Sequence, residues 1–381
     1  MNSSILSRVK TLIVSTLSLT PSLAAGQVCI VVEHLPPGTP PGDTLYVAGT
    51  FNGWQPAATP MTPDGQGRWR CCIDAPGREL AFKFTRGTWD RVEGDTVGMP
   101  RPNRIASPRP GDTLRCTIAG WEDQRTTPRV TTALPSVQVF DEALDLPSLQ
   151  RQRRIWVCLP PGYAEDTARY PVLYMHDGQN LFDQALAFSG EWQVDESLDS
   201  LARGGGLRLI VVGIDNGGTH RMDEYSPWPN PRHGGGEGEV YLHDLVHTLK
   251  PAIDRHYRTL ADPAHTGIMG SSMGGLISYY AGLRYPEVFG RVGVFSPSFW
   301  FSPQARQYAA TRQAAAGSRW YFLAGGREGS NMEKYCRQVA RQVGSAAPQA
   351  AVYYHADPEG RHEEAFWARY FPQACLWLFE E

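Results

Sequence analysis

The pentapeptide Gly270-Ser271-Ser272-Met273-Gly274 lies between an apolar stretch, residues 265–269, and a run of small and apolar residues, 275–282. A G-x-S-x-G run flanked in this way leaves few folds open. Its small residues allow a sharp strand-to-helix turn, and that turn lifts the central hydroxyl clear of the backbone. Turns of this kind belong at the C-terminal end of a buried strand in a mostly parallel sheet. Ser272 is therefore the candidate nucleophile. Ser271 fits less well, because Met269 stands two residues before it.

The chain from residue 135 onward supports such a sheet. Strand-like runs cover residues 154–159, 172–175, 207–214, 265–269, 291–295, 320–324 and 350–355. Helix-like stretches at 241–257, 275–284, 332–343 and 366–379 separate them. Strands alternating with helices predict a doubly wound, mostly parallel sheet covered on both faces; with the serine turn at a strand end, the expected fold is the α/β-hydrolase one.

Before residue 120 the texture differs. Short strand-like runs at 29–34, 44–48, 68–73, 80–85 and 112–118 are separated by turn signals such as Pro63-Asp64-Gly65. They predict a small all-β, immunoglobulin-like sandwich over residues 27–120. Residues 121–134 read as a linker, and 135–381 as the second domain.

A serine hydroxyl needs a base, and the base needs an acid to orient it. In this fold their chain order is serine, acid, histidine. Only His355 and His362 follow Ser272. His362 sits in the loop after the last strand, where the base belongs, whereas His355 lies within the strand run. Glu328 is the carboxylate in the loop after residues 320–324 and is the expected acid; Glu363, Glu364 and Asp357 are the alternatives. The backbone N–H of Met273 and that of Gly178 or Gln179 would form the oxyanion hole. Among loop residues that could line a pocket (Trp192, Asn216, Arg221, Tyr225, Trp228 and Trp300), Trp192 and Tyr225 rank first for substrate contact. Gly234-Gly235-Gly236 reads as a mobile loop.

The first 25 residues carry Arg8 and Lys10, an apolar run at 11–19, and small residues at 22–25. That pattern predicts a secretory signal peptide, cleaved near residues 24–26, and a secreted or periplasmic protein. An exported chain meets oxidising conditions. Of the seven cysteines, Cys336 and Cys375 are the expected pair. No CxxC pair occurs, so no zinc site is expected. A net charge of −3 gives no reason to expect a nucleic-acid partner. No later apolar run is long enough to span a bilayer. The serine mechanism needs no cofactor.

The second region resembles the esterase D family, which includes feruloyl, acetyl and enterochelin esterases and mycolyltransferases. The likeness rests on residues 153–163 (RRIWVCLPPGY), His176-Asp177-Gly178-Gln179-Asn180, residues 270–275, and Pro358-Glu359-Gly360-Arg361-His362. It implies a triad of Ser272, Glu328 and His362. The chain departs from the family at Asp177, where many relatives carry glycine. The first region resembles starch- and glycogen-binding modules of carbohydrate-binding families 20 and 48, through residues 45–54 (LYVAGTFNGW), residues 82–87 (FKFTRG), Trp89 and Asn103-Arg104. That resemblance implies glucan contacts by Trp54, Lys83, Trp89 and Asn103. Together they imply an ester hydrolase acting on acylated polysaccharide. The alternatives are a siderophore esterase, an acyltransferase or an inert carbohydrate-binding scaffold.

Overall fold

The computed structural model describes residues 26–380 apart from 75–78, 126–127, 129, 188–189 and 330. The expected signal peptide and part of the expected linker therefore lie outside the described residues.

An eight-stranded sheet organises the chain beyond residue 136. Its order is Val137–Leu146, Arg151–Cys158, Ile210–Ile214, Val172–His176, Thr266–Ser271, Arg291–Phe295, Arg319–Gly325 and Ala351–Asp357. The first two strands run antiparallel to their neighbours, and the remaining six are parallel. Alternate residues face opposite layers. Val172, Tyr174, Ile268 and Val292 enter one apolar core, while Leu173, Met175, Met269 and Phe295 enter the other. Strands buried on both faces are near-continuously apolar, which is why the 210–214 and 266–271 runs were legible. The outermost strand, Val137–Leu146, was not. Much of it is exposed, its sequence is polar, and its pairing with Arg151–Cys158 shifts register twice.

Four helical segments match the expected stretches. One of them, residues 238–256, passes through a π-helical turn at Leu245–Leu249. Pro251 lies in the first turn after it, and the wider turn accommodates the N–H that proline lacks.

Residues 27–121 form short strands with no α-helix among the described residues. Gln27–His34 pairs antiparallel with Trp69–Asp74 and parallel with Thr113–Thr117. Tyr46–Gly49, Leu80–Thr85 and Arg104–Ala106 make a second sheet. Val28, Ile30 and Val32 meet Val47, Leu80, Phe82 and Phe84 in a core of their own. Trp121, expected to begin the linker, belongs to that core and is 1% exposed.

The expected Cys336–Cys375 pair does not form. Cys336 is buried in one apolar layer and Cys375 in the other, so the sheet separates them. The disulfide joins Cys29 to Cys72, which stand directly opposite each other on antiparallel strands. Non-reducing peptide mapping should recover a Cys29–Cys72 cross-link and five free thiols. Cys29→Ala with Cys72→Ala should lower unfolding free energy by about 2–4 kcal/mol, read from denaturant midpoints.

Candidate active site

Ser272 lies between the Thr266–Ser271 strand and the Met273–Arg284 helix, at φ 57° and ψ −119°. Few non-glycine residues adopt that conformation, and close packing of the backbone holds it. A Cβ on Gly270 would come within 2.8 Å of the Gly274 backbone, and one on Gly275 within 2.7 Å of the Phe295 carbonyl. The Ser272 N–H donates to that same Phe295 carbonyl at 2.9 Å. The flanking glycines thus permit close approach.

His362 reaches the serine from the loop after the last strand. Its Nε2 lies 2.9 Å from Ser272 Oγ, and its Nδ1 lies 3.3 Å from Glu328 Oε2. The tautomer that satisfies both contacts carries its proton on Nδ1 and accepts the serine hydroxyl at Nε2. The Glu328 side chain is fully buried. Its other oxygen accepts a 2.6 Å hydrogen bond from Ser296 Oγ, which in turn accepts from the Trp367 indole at 2.9 Å. Trp367 also meets the His362 ring edge-to-face at 5.1 Å. Ser298 Oγ stands 3.2 Å from Ser272 Oγ. The sequence reading missed Ser296, Ser298 and Trp367. The signal for both serines was their place just past the 291–295 strand, where parallel sheets put their chemistry.

The alternatives lie elsewhere. His355 stays in its strand, packed on Tyr353 and Tyr370. Asp357 pairs with Arg369 and Tyr370. Glu364 is buried and accepts from Asn180. Glu363 lines the cavity, but among the described residues Glu328 is the one carboxylate that bonds the His362 ring.

The loop carrying Gly178 and Gln179 packs against the serine turn. A Cβ on Gly274 would fall 3.2 Å from His176 Cβ and 3.3 Å from Asp177 Oδ2. Asp177 adopts a left-handed conformation, φ 58°. Its carboxylate is held by Arg221 at 2.6 and 2.8 Å and by Asn216 at 2.7 Å. Burial is the strongest single influence and opposes that charge, but Arg221 and Asn216 together hold the carboxyl below its usual range. Burial pushes the His176 imidazole down to about 3, so the ring is neutral beside Tyr241. The Met273 N–H opens its helix and so has no intrahelical acceptor.

Two expected substrate contacts are corrected. Trp192 is 3% exposed, stacked on Phe295 and packed on Trp367 and Phe371. Tyr225 is fully buried, and its hydroxyl accepts the Asp177 N–H at 3.2 Å. Both loops turn back into the core, so these rings support the site from beneath. Asn216 and Arg221 hold Asp177, and Trp228 packs on Tyr280 and Tyr308. Trp300 is exposed. The three glycines at 234–236 all take positive φ in a hydrogen-bonded turn, with the Gly235 backbone packed on Phe301. Glycine meets the demand of that turn.

A cavity of about 260 Å³ opens beside His362. One wall is Arg327, Glu328, Arg361 and Glu363; the opposite wall is Thr50, Phe51, Glu79, Ala81, Asn103 and Ile105. Glu79 reaches across it to Arg361 at 3.3 Å. Lys83, expected as an exposed donor to sugar, is 1% exposed. It shares the outer strand face with Ala81, which lines the cavity. Its ammonium has no hydrogen-bond partner, and burial lowers its pKa despite Glu122, Glu93 and Glu364. Burial pushes Glu364 up to about 7. Trp54 and Trp89 are half-buried, their rings 6.4 Å apart and tilted by 36°.

A hydroxyl–imidazole–carboxylate relay past the C-terminal ends of parallel strands, on a sheet of this order, defines an α/β-hydrolase-like protein. Residues 147–378 match the family described as "Putative esterase". The chain belongs to that family and is a carboxylic ester hydrolase. It is 28% identical over 242 residues to the uncharacterized protein YbbA of Bacillus subtilis, covering 60% of this chain and 92% of YbbA. It is 31% identical over 176 residues to the iron(III) enterobactin esterase of Dickeya dadantii, covering 45% of this chain and 36% of that protein. The solved enterobactin esterase of Shigella flexneri shares the fold, with a TM-score of 0.56, 15% identity and 88% of each chain covered.

Ser296→Ala should remove the donor to Glu328 while leaving the cavity walls in place. Loss of one hydrogen bond to a charged group is worth about 1.5–3 kcal/mol. Turnover of a p-nitrophenyl ester should fall by about tenfold or more with KM unchanged. A change in KM alone would assign Ser296 to substrate binding.

Proposed function

We propose that the chain is an exported serine esterase in which Ser272 is the nucleophile, His362 the general base and Glu328 the residue that orients it. The unbroken relay from Ser272 Oγ through His362 to Glu328 carries this reading. Ser272 Oγ attacks the ester carbonyl as its proton passes to His362 Nε2. The N–H of Met273, with that of Gly178 or Gln179, receives the developing oxyanion. His362 then protonates the departing alcohol, and water repeats the cycle on the acyl-serine. Buried Glu328 stabilises the imidazolium without taking its proton. The pattern within residues 1–25 supports export to the periplasm or beyond.

The substrate of this reading is an acylated polysaccharide or oligosaccharide. Residues 27–120, an immunoglobulin-like module, form one wall of the cavity. Trp54 and Trp89 supply a sugar platform on the same module that walls the cavity, a different arrangement from a remote tether. The Gly53 backbone lies against the exposed Trp300 ring, and Phe51 lines the cavity, so aromatic faces cluster at this edge. Such faces suit the C–H surfaces of sugars. Lys83 is left out of that platform by its burial.

A second reading, a siderophore esterase, draws support from the Shigella flexneri fold likeness, which extends over 88% of the chain. Arg327 and Arg361 at the cavity would suit acidic catechols or carboxylates.

Ser272→Ala should abolish hydrolysis of p-nitrophenyl acetate while the thermal unfolding midpoint holds; retained activity would remove Ser272 from the mechanism. Glu328→Gln should lower kcat by about 10⁴-fold, by analogy with loss of the orienting acid in serine proteases. Trp54→Ala with Trp89→Ala should raise KM for a feruloylated or acetylated oligosaccharide and leave p-nitrophenyl acetate unaffected. Equal kinetics on both, with rapid turnover of enterobactin, would favour the siderophore reading.

A further inference from the structure

Away from the catalytic serine, Glu191, Asp195 and Glu196 each place a carboxylate oxygen within 4.8 Å of the others. Glu191 is 7% exposed and Asp195 1% exposed. Asp183 adds a fourth negative charge beside Glu191. Among the described residues no lysine, arginine or histidine forms an ion pair with any of the four.

Backbone and hydroxyl donors take up only part of this charge. Thr132 Oγ1 donates to Glu191, its two oxygens lying at 3.0 and 3.1 Å. The Leu134 N–H donates to Asp195 Oδ2 at 2.8 Å, and the Thr132 N–H to Asp183 Oδ1 at 3.1 Å. Asp195 Oδ1 and Glu196 Oε2 are buried with no donor, and the two carboxyls lie close enough to hydrogen-bond if one is protonated. A buried acceptor without a donor is costly, and the more so when it is charged. Burial, with like-charged neighbours, raises both Glu191 and Asp195 above the usual carboxylate range. Neighbouring anions with unused lone pairs and no counter-charge are completed by one of two things, a shared proton or a cation.

We propose that Glu191, Asp195 and Glu196 bind a calcium ion that pins residues 131–134 to the sheet domain. The donors are all oxygen, carboxylates with a hydroxyl beside them, which is hard-cation chemistry. Calcium accepts varied donor geometry, where magnesium demands a near-ideal octahedron. Asp195 also lines a cleft of about 270 Å³ with Leu134, Pro135, Ser136 and Cys158, which gives an ion a route inward. Residues 131–134 follow the module that walls the catalytic cavity. An ion here ties that module's exit to the Val194–Ala202 helix, which carries Asp195 and Glu196. The proposal stands independently of the substrate and of the serine mechanism.

The test is isothermal titration of the chelator-stripped full chain with calcium chloride, alongside thermal unfolding at matched ionic strength. One calcium per chain is expected, with a dissociation constant of about 10⁻⁵–10⁻³ M. The unfolding midpoint should rise in millimolar calcium and fall back with EGTA. Asp195→Asn should weaken binding by about tenfold or more. No binding heat and no calcium-dependent shift in the wild type would overturn the site without recourse to any variant. So would a shift that persists undiminished in Asp195→Asn. A midpoint that ignores calcium but climbs between about pH 8 and pH 6 would show a shared proton in its place.

Discussion

The strained backbone at Ser272 is the constraint on which the catalytic arrangement depends. A non-glycine residue at φ 57° and ψ −119° costs about 1–3 kcal/mol and persists only where its surroundings over-determine it. Here the Ser272 N–H is tied to Phe295, its carbonyl accepts from Ser298, and helix and strand close on it through Gly270, Gly274 and Gly275. That closeness has two further effects. It brings residues 296–298 beside the serine, and it seats the His176 and Asp177 side chains against Gly274. One tight turn thus fixes the hydroxyl, the support for Glu328 and the loop opposite Met273. Each of these lies on a different strand end, and the parallel sheet holds those ends in register.

What could be read from the sequence follows from which interactions are local. The serine turn is a continuous pentapeptide flanked by a strand and a helix, so its period and composition announce it. Glu328 and His362 were singled out because each is the suitable residue in the loop after a legible strand, and the structure brings both to Ser272. Ser296 was not found, because its importance arises from Glu328 and Trp367, which lie 32 and 71 residues away in the chain. Trp192 and Tyr225 were misassigned for a related reason. Sequence shows that a residue follows a strand, but not whether its loop faces solvent or turns back into the core. The cysteines repeat the point: Cys336 and Cys375 lie within the same stretch of sequence, yet a sheet stands between them.

Lys83 makes the same case for a whole face. Alternation along Leu80–Thr85 separates Leu80, Phe82 and Phe84, which enter the core, from Ala81 and Lys83 on the other side. A strand with one polar face reads as solvated. Nothing local reveals that another part of the chain covers that face. The cover changes the chemistry available there. An exposed ammonium would donate freely to a sugar hydroxyl, whereas a buried one is held near Glu364, whose own charge is disfavoured by burial. Each makes the other's charged form less costly, so the pair belongs to the contact between the β-rich region and the sheet domain.

The departure at Asp177 is resolved by the same reasoning. Glycine is favoured at a left-handed position because it lacks a Cβ, but aspartate is among the residues that tolerate it best. The strain at Asp177 is therefore small, and its carboxylate supplies something glycine cannot. Bound on both oxygens by Arg221 and by Asn216, it anchors the peptide that leads into Gly178. Tyr225 holds the same residue through its N–H. A glycine would leave that loop free to choose among conformations, and the N–H groups beyond it would have to be ordered by the substrate. With aspartate, the order is present before the substrate arrives; in the proposed mechanism that matters because preorganised donors stabilise an oxyanion without reorganising as charge develops. Arg221 was singled out in the sequence as a pocket residue. The structure instead pairs it with Asp177, and its charge is consumed in holding that loop.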